Sequence, residues 1–338
     1  MTRSTIFTWR RILFCPCMVL LCMASHSFAL TLQGQFRVHD PSRITKCGAR
    51  YYVYCTGGNV PMHYSEDLIH WSSGPAALSK EGRANGIPTW ARALVPGNKG
   101  SGVWAPDVLY FDGLYHLYYA FADWDTNDAA IGLLTNLTLD PSDEKYVWTD
   151  QGEVIHSKAG DTFNAIDPAP TFDQEGNLWL VFGNMHTGSH LIQLDKRTGL
   201  RSTTDATMYQ FAGDKGEAPY IYFHDGYYYF FKNHGSCCQG VKSTYRIMMG
   251  RSKKITGPYL DKEGKDLQDL KTTEGSKFLT AKGDEIGPGH IGIFSEGGVD
   301  RISFHYYNAK SNGTPTLGIK TLSWGADGWP IALDDPAP

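Results

Sequence analysis

Five stretches of the sequence share one pattern: HDPSRITKCGARYYVYCTG from His39, WAPDVLYFDGLYHLYYAF from Trp104, IDPAPTFDQEGNLWLVFG from Ile166, EAPYIYFHDGYYYFFKN from Glu217 and GHIGIFSEGGVDRISFHYYN from Gly289. Each sets an acid or His close to a Pro, then runs through an apolar segment, a tight turn and a Tyr/Phe-rich strand. The turns hold Gly with Asp, Asn or Glu in most copies (Gly48, Asp112-Gly113, Gly176-Asn177, Asp225-Gly226, Gly297-Gly298), as short hairpins require. The strand after each turn carries few charges, which suits a strand buried between stacked sheets. Shorter runs such as MHYSEDLIHW, AAIGLLTNL, HLIQLDKRTG, TYRIMMGRSKKITGPY and LGIKTLSW follow and bring each unit to about four strands. Five such units read as an all-β, five-bladed β-propeller in a single domain spanning residues 30–338. Pro41, Pro106, Pro168, Pro219 and Pro288 fall at or just before the first strand, where a missing N–H costs no ladder bond.

The composition agrees. Aromatics make up 13% of the 338 residues, too much apolar surface for a disordered chain, and Tyr, Phe, Trp and Gly are weak helix formers. Residues 1–29 read as a secretory signal: Arg3, Arg10 and Arg11 precede an apolar run from Ile12 to Met23 and a small-x-small site at Ser27-Phe28-Ala29. A secreted or periplasmic protein beginning near Leu30 is therefore expected. The leader removes three Arg and no acid, so the remainder is more acidic than the formal −4 of the whole chain. That balance argues against nucleic acid and membrane partners, and a monomer is expected. Of seven Cys, Cys15, Cys17 and Cys22 leave with the signal. Cys47 and Cys55 could pair across a hairpin, whereas adjacent Cys237 and Cys238 cannot form an ordinary bridge without strain. No CxxC metal pattern is present, so zinc is not expected.

If the first strand of each blade is innermost, its opening residues line one mouth of the central channel: Asp40, Asp107, Asp167, Glu217 and His290. A single Asp beside Pro is more often a turn residue than a catalytic one. Asp107 follows its Pro and is read as structural, but Asp40, Asp167 and Glu217 open strands of three different repeats. Three carboxylates around a pocket suit glycosidic cleavage, with one activating water, one protonating the leaving oxygen and a third adjusting the acid. Trp90, Trp104 and Trp124 are candidate platforms for sugar rings, although Trp is commonly a core residue.

These motifs resemble glycoside hydrolase family 43, specifically its arabinanases, five-bladed propellers that cut α-1,5-linked L-arabinan. The matching segments run from Val38 to Pro330: VHDPS (38–42), WAPD (104–107), NAIDP (164–168), EAPYIY (217–222), CCQGVKSTYRIMMGRSKKITGPY (237–259), GPGH (287–290) and LSWGADGWP (322–330). The resemblance implies an inverting, endo-acting hydrolase, with Asp40 as general base, Glu217 as general acid and Asp167 as the pKa modulator that orients Glu217. It implies that Asn164, Ala165, Ile166, Gly183 and Asn184 touch the sugar, with Trp124 near the cleaved bond; Trp104 remains a candidate platform by its position. It also implies that His290 binds a central metal, commonly calcium, with waters completing the shell. The competing reading of His290 is a histidine hydrogen-bonded to a channel carboxylate or water. Met185-His186 and Asn233-His234 depart from the family pattern and bear on chain-length preference and on endo against exo action. The alternatives are an exo-acting α-L-arabinofuranosidase or β-xylosidase on the same fold, and a carbohydrate-binding propeller without catalysis.

Overall fold

The computed structural model describes residue 1 and residues 31–334, apart from 83, 101, 125, 185, 214 and 215. The expected leader with its arginines and cysteines, and the departure at Met185, lie outside the described residues. The described chain is a five-bladed β-propeller of consecutive antiparallel sheets. Blade 1 holds Thr45–Cys47, Arg50–Tyr54, Met62–Ser65 and His70–Gly74, and blade 2 holds Trp104–Phe111, Leu114–Ala122, Ala129–Asn136 and Thr149–Ser157. Blade 3 holds Ala169–Phe172, Leu178–Asn184, Gly188–Leu194 and Met208–Ala212, and blade 4 holds Glu217–His224, Tyr227–His234, Arg246–Ser252 and Ser276–Leu279. Blade 5 holds Glu285–Glu296, Val299–Asn308, Thr314–Trp324 and Pro330–Leu333. A short helix, Thr89–Leu94, lies on the crossing from blade 1 to blade 2. Among the described residues no helix is long and apolar enough to cross a membrane.

The second strand of each blade carries aromatics, and in blades 2, 3 and 4 it is almost wholly buried, as in Leu114–Ala122 and Tyr227–His234. Its turn chemistry is local: Asp112-Gly113 (φ 49° and 77°) and Asp225-Gly226 (φ 44° and 74°) make two-residue hairpins with both central residues left-handed. Blade 3 differs from the expectation of a tight turn at Gly176-Asn177. Phe172 pairs with Leu178 across a five-residue loop, residues 173–177, because the Asp173 carboxylate accepts from Asn177 Nδ2 (2.9 Å) and Trp179 Nε1 (2.8 Å) and fills the wider bend.

The core is not central. It consists of apolar layers between neighbouring blades: one joins blades 1 and 2 through Tyr54, Leu117, Phe121 and Trp148, and another joins blades 2 and 3 through Tyr118, Ile131, Leu180 and Phe182. Blades 3, 4 and 5 share Val181, Tyr220, Phe231 and Phe304, and blades 5 and 1 share Val53, Trp71 and Leu317. The ring closes where blades 5 and 1 meet. Gln33–Gly34 adds in parallel to the outer strand of blade 1, and Phe36 O accepts from Leu317 N of blade 5 at 3.0 Å. Gly292 of blade 5 allows this closure, since a Cβ there would stand 2.4 Å from Arg43 Cα.

Cys47 and Cys55 do not pair, which corrects the expectation from sequence. Cys47 is cross-strand from Arg50, so Cys55 lies five residues further along the hairpin, roughly 16 Å away at the rise of a strand. Cys55 instead packs into the layer between blades 5 and 1.

Candidate active site

One backbone device recurs at the channel mouth. In blades 2, 4 and 5 the innermost strand bulges over the same interval: Trp104 pairs with Ala120 and Asp107 with Tyr118; Glu217 with Asn233 and Tyr220 with Phe231; Gly289 with His305 and Gly292 with Ser303. The residue after the first of each pair is left-handed: Ala105 (φ 46°), Ala218 (φ 52°) and His290 (φ 59°). Asp40 (φ 47°) and Asp167 (φ 55°) hold the same conformation in blades 1 and 3. Bulges redirect side chains and occur near active sites. Asp40, Asp167 and His290 therefore take one equivalent position, whereas Glu217 sits one residue before it and Asp107 two residues after. Pro106 and Pro219 fall inside these bulges and Pro288 inside a further register shift of blade 5, between Ile286 and Gly289, where no ladder partner waits for an N–H.

The N–H of four of these five residues is taken by a side chain of the neighbouring blade. Ala105 N donates to Thr56 Oγ1 (2.8 Å), Ala218 N to Asp167 Oδ2 (2.9 Å), His290 N to Asn233 Oδ1 (3.1 Å) and Asp40 N to His305 Nδ1 (3.1 Å). Blades 1, 3, 4 and 5 thus each hold the left-handed residue of the following blade in place.

Asp40 lies among imidazoles and hydrogen-bond donors. Its Oδ2 accepts from His39 Nδ1 (2.8 Å) and Thr56 Oγ1 (2.7 Å), and its Oδ1 faces His305 Nδ1 at 3.4 Å and His290 Nδ1 at 3.5 Å. Burial alone would raise this carboxyl, but the charge and hydrogen bond of His39, with His290 and His305, hold it well below the usual carboxylate range. Burial works the other way on His39, yet Asp40 raises it above its ordinary value. Glu217 has no such support: burial, then the negative charge of Asp40, push it up to about 7. Burial, then Glu217 and Asp40, push Asp167 well above the ordinary value, against the Ala218 N–H that favours its ionised form. The site therefore holds one ionised carboxylate beside two carboxyls biased toward their protonated forms.

Two cavities meet here. One, of about 400 Å³, is lined by His39, Asp40, Thr56, Asp167, Tyr245, His290 and Tyr307. The other, of about 670 Å³, is lined by Asn127, Asp161, Asn164, Asn184, His186 and Thr187. Trp104, Trp124, Ile166, Glu217 and Cys237 line both, so the two form one groove with Glu217 at the junction. Trp104 and Trp124 meet edge to face at 5.5 Å, and Trp124 is 62% exposed.

The other residues singled out from sequence fall into two sets. Asn164 and Asn184 line the groove, although both are nearly buried; Asn164 Nδ2 donates to Asn127 Oδ1 (2.7 Å), and Asn184 Oδ1 accepts from His186 N and Thr187 N. Ala165, Gly183 and Trp90 do not line it. Ala165 packs in the layer between blades 2 and 3, and Gly183 lies against the Gly188 carbonyl, where a Cβ would stand 2.1 Å from the oxygen. Trp90 donates to Asp150 Oδ2 (2.9 Å) and packs between blades 1 and 2. Asp107 is structural, as read: its carboxylate takes Arg43 N (2.9 Å), Nε (3.0 Å to Oδ2) and Nη2 (2.6 Å).

Arg43 had no sequence signal. From blade 1 it binds Asp107 of blade 2, donates to Pro170 O of blade 3 (2.5 Å) and lies 5.2 Å over the Tyr220 ring of blade 4, while its backbone abuts Gly292 of blade 5. One side chain thus ties the ring together along the channel. His39, Thr56, His305 and Tyr307 were missed as well. The alternation of apolar and polar residues in FHYYN was the one available hint for the last two.

His290 is buried, and burial, partly offset by Asp40, lowers its pKa, so its imidazole stays neutral and able to offer a lone pair to a cation. The donors nearby are imidazoles and one carboxylate, with Asp40 Oδ2 already engaged. They do not build an oxygen cage. A calcium ion held by His290 fits this donor set only with water supplying most of its shell.

Cys237 and Cys238 are joined in a vicinal disulfide at the groove wall, so the adjacency read from sequence as an obstacle is accommodated by a left-handed Cys238 (φ 64°). Cys238 N donates to Tyr307 Oη (2.7 Å), and Tyr307 Oη lies 2.8 Å from His39 Nε2.

Residues 34–330 match the family model described as glycosyl hydrolases family 43. The chain is 35% identical over 317 residues to an extracellular exo-α-(1→5)-L-arabinofuranosidase of Cellvibrio japonicus, covering 88% of this chain and 86% of that protein. It is also 35% identical over 339 residues to an extracellular endo-α-(1→5)-L-arabinanase of Bacillus subtilis, covering 96% and 98%. Among solved structures, the Cellvibrio cellulosa α-L-arabinanase complexed with arabinohexaose superposes with a TM-score of 0.81 at 34% identity, covering 88% of this chain and 96% of that one.

Proposed function

The chain belongs to glycosyl hydrolase family 43, and we propose that it is a secreted, inverting glycosidase that cuts α-1,5-linked L-arabinan within the polymer, acting as a monomer. The observation that carries the reading is the place of Glu217, at the junction of two cavities that continue to either side of it. A polymer lying along such a groove puts sugar units on both sides of the cleaved bond, as internal cutting requires.

The chemistry follows from the split in proton affinity. Asp40, kept ionised by its histidines, takes a proton from the attacking water. Glu217, protonated up to about pH 7, gives its proton to the leaving oxygen. Asp167 acts on Glu217 through the Ala218 N–H, which its Oδ2 accepts. Trp104 and Trp124 give the sugar faces a wall to pack on. A cation on His290, when bound, would supply positive charge that favours the ionised form of Asp40. Relatives named extracellular support secretion, as does the leader-like start of the sequence.

The test is product analysis on linear arabinan. Rapid loss of viscosity with early oligosaccharides, and a first product of inverted anomeric configuration by NMR, are expected. Release of single arabinose units from the first time points would replace internal cutting by the exo reading, which the identity to the Cellvibrio japonicus relative favours. Cleavage of aryl xylosides but not arabinan would make it a β-xylosidase, and binding without cleavage of either would make it a carbohydrate-binding propeller.

A further inference from the structure

The vicinal disulfide stands where a structural bridge has little to hold. Cys237 and Cys238 are neighbours in sequence, so their bond closes no loop of chain and adds little of the entropy that stabilises cross-linked folds. The segment around them is already fixed: Thr244 N donates to Ser236 O (2.9 Å), Ser236 N to Thr244 Oγ1 (3.0 Å) and Gln239 N to Ser243 Oγ (3.0 Å). Cys238 N is committed to Tyr307 Oη, which turns the pair so that Cys237 lines both cavities and the exposed Cys238 lines the first. At the junction, Cys237 joins Trp104, Trp124 and Ile166 in an apolar rim around Glu217. A disulfide has no hydrogen to donate and presents two polarisable sulfurs, a surface suited to the C–H face of a sugar rather than to its hydroxyls.

We propose that the Cys237–Cys238 bridge is a substrate-contacting element, an apolar wall on which a pentose unit packs beside the cleaved bond. This rests on the reading of the groove as the site for an α-1,5-linked arabinan chain. The bridge contributes to binding and leaves proton transfer to the carboxyls, so its loss acts on KM more than on kcat.

The experiment compares the oxidised protein, the protein reduced with a water-soluble phosphine and verified by thiol titration, and the C237S/C238S variant. Each is assayed on linear arabinan, its melting temperature is measured, and its binding of arabino-oligosaccharides is followed by calorimetry. The expected result is a rise in KM and in oligosaccharide Kd of about tenfold, with kcat changed less than threefold and the melting temperature nearly unchanged. Unaltered KM and Kd after verified reduction overturn the proposal. So does a fall of kcat and melting temperature together at constant KM, which would mean that the bridge only pins its loop. An oxidised protein that neither cleaves arabinan nor binds its oligosaccharides overturns the functional reading and this inference with it. One that binds and cleaves, but is indifferent to reduction, overturns this inference alone. If the serine variant does not fold, the reduced wild type decides.

Discussion

Asp167 Oδ2 accepts the backbone N–H of Ala218 at 2.9 Å, so the carboxyl from blade 3 is tied to the residue that follows Glu217 in blade 4. The contact does two things at once. It holds a left-handed backbone in place, as Thr56, Asn233 and His305 do elsewhere in the ring, and it sets an ionisable group beside the acid.

The two roles separate by substitution. D167N keeps an acceptor for Ala218 N–H and removes the titratable carboxyl, so its stability should stay within about 1 kcal/mol of wild type while kcat falls. D167A also orphans the N–H and should lose a further 1–3 kcal/mol or so. Urea unfolding beside steady-state kinetics checks this, and equal stability of the two variants would sink the positioning role.

Glu217 should matter in proportion to how poor the leaving group is. E217A is expected to lose about 10²–10⁴-fold in kcat on arabinan, and far less on a dinitrophenyl arabinofuranoside, whose leaving group needs no proton. An equal loss on both substrates would show that Glu217 is not the proton donor.

The pH dependence carries a sign. An acid held up to about 7 is protonated below that value, so kcat/KM should fall as pH rises through about 7. Stability follows the same group: its folded value is raised above the ordinary 4.5, so its contribution is complete below about 4.5 and is lost as pH climbs to about 7. In E217Q that decline in stability between pH 4.5 and 7 should flatten. A decline of unchanged slope in E217Q, measured by thermal melts across the range, would assign it to another group.

Arg43 ties blade 1 to blades 2, 3 and 4 through Asp107, Pro170 and Tyr220. Its side chain is 14% exposed and that of its partner Asp107 is 4% exposed, so removing one charge strands the other. R43M should cost about 3–5 kcal/mol, visible as a lower urea midpoint, and a loss under 1 kcal/mol would mean that the ring holds without it.

For the cation at His290, chelation should lower the melting temperature of the wild type and leave H290A unmoved. If chelation changes neither protein, the metal assignment fails.

Much of this molecule was legible in its sequence, for reasons that differ by feature. The five repeats declared themselves because hairpin turns and buried strands draw on a narrow set of residues, as in FDGLYHLYYAF from Phe111 and FHDGYYYFF from Phe223. The position of Asp40 was readable from its Pro neighbour. The one-residue offset of Glu217 was not, because a bulge is a matter of register between two strands, and neither strand records it alone. Arg43 escaped because its four partners are spread over the four other blades, and nothing local in SRITK distinguishes it from a strand-edge cation. The resemblance offers Ala165 and Gly183 as parts of the same segments as Asn164 and Asn184, but in the structure Ala165 packs between blades and Gly183 lies against the Gly188 carbonyl.

The equivalence of Asp40, Ala105, Asp167, Ala218 and His290 makes the ring a set of interchangeable stations. The backbone conformation is fixed at each by the fold, so the side chain can be exchanged without redesigning the strand that carries it. Two stations hold alanine, which tolerates the left-handed region less well than Asp or Asn. Chemistry in this propeller can therefore change by substitution at a station instead of by insertion of a loop. A carboxylate or amide placed at 105 or 218 would enter a site whose backbone already suits it.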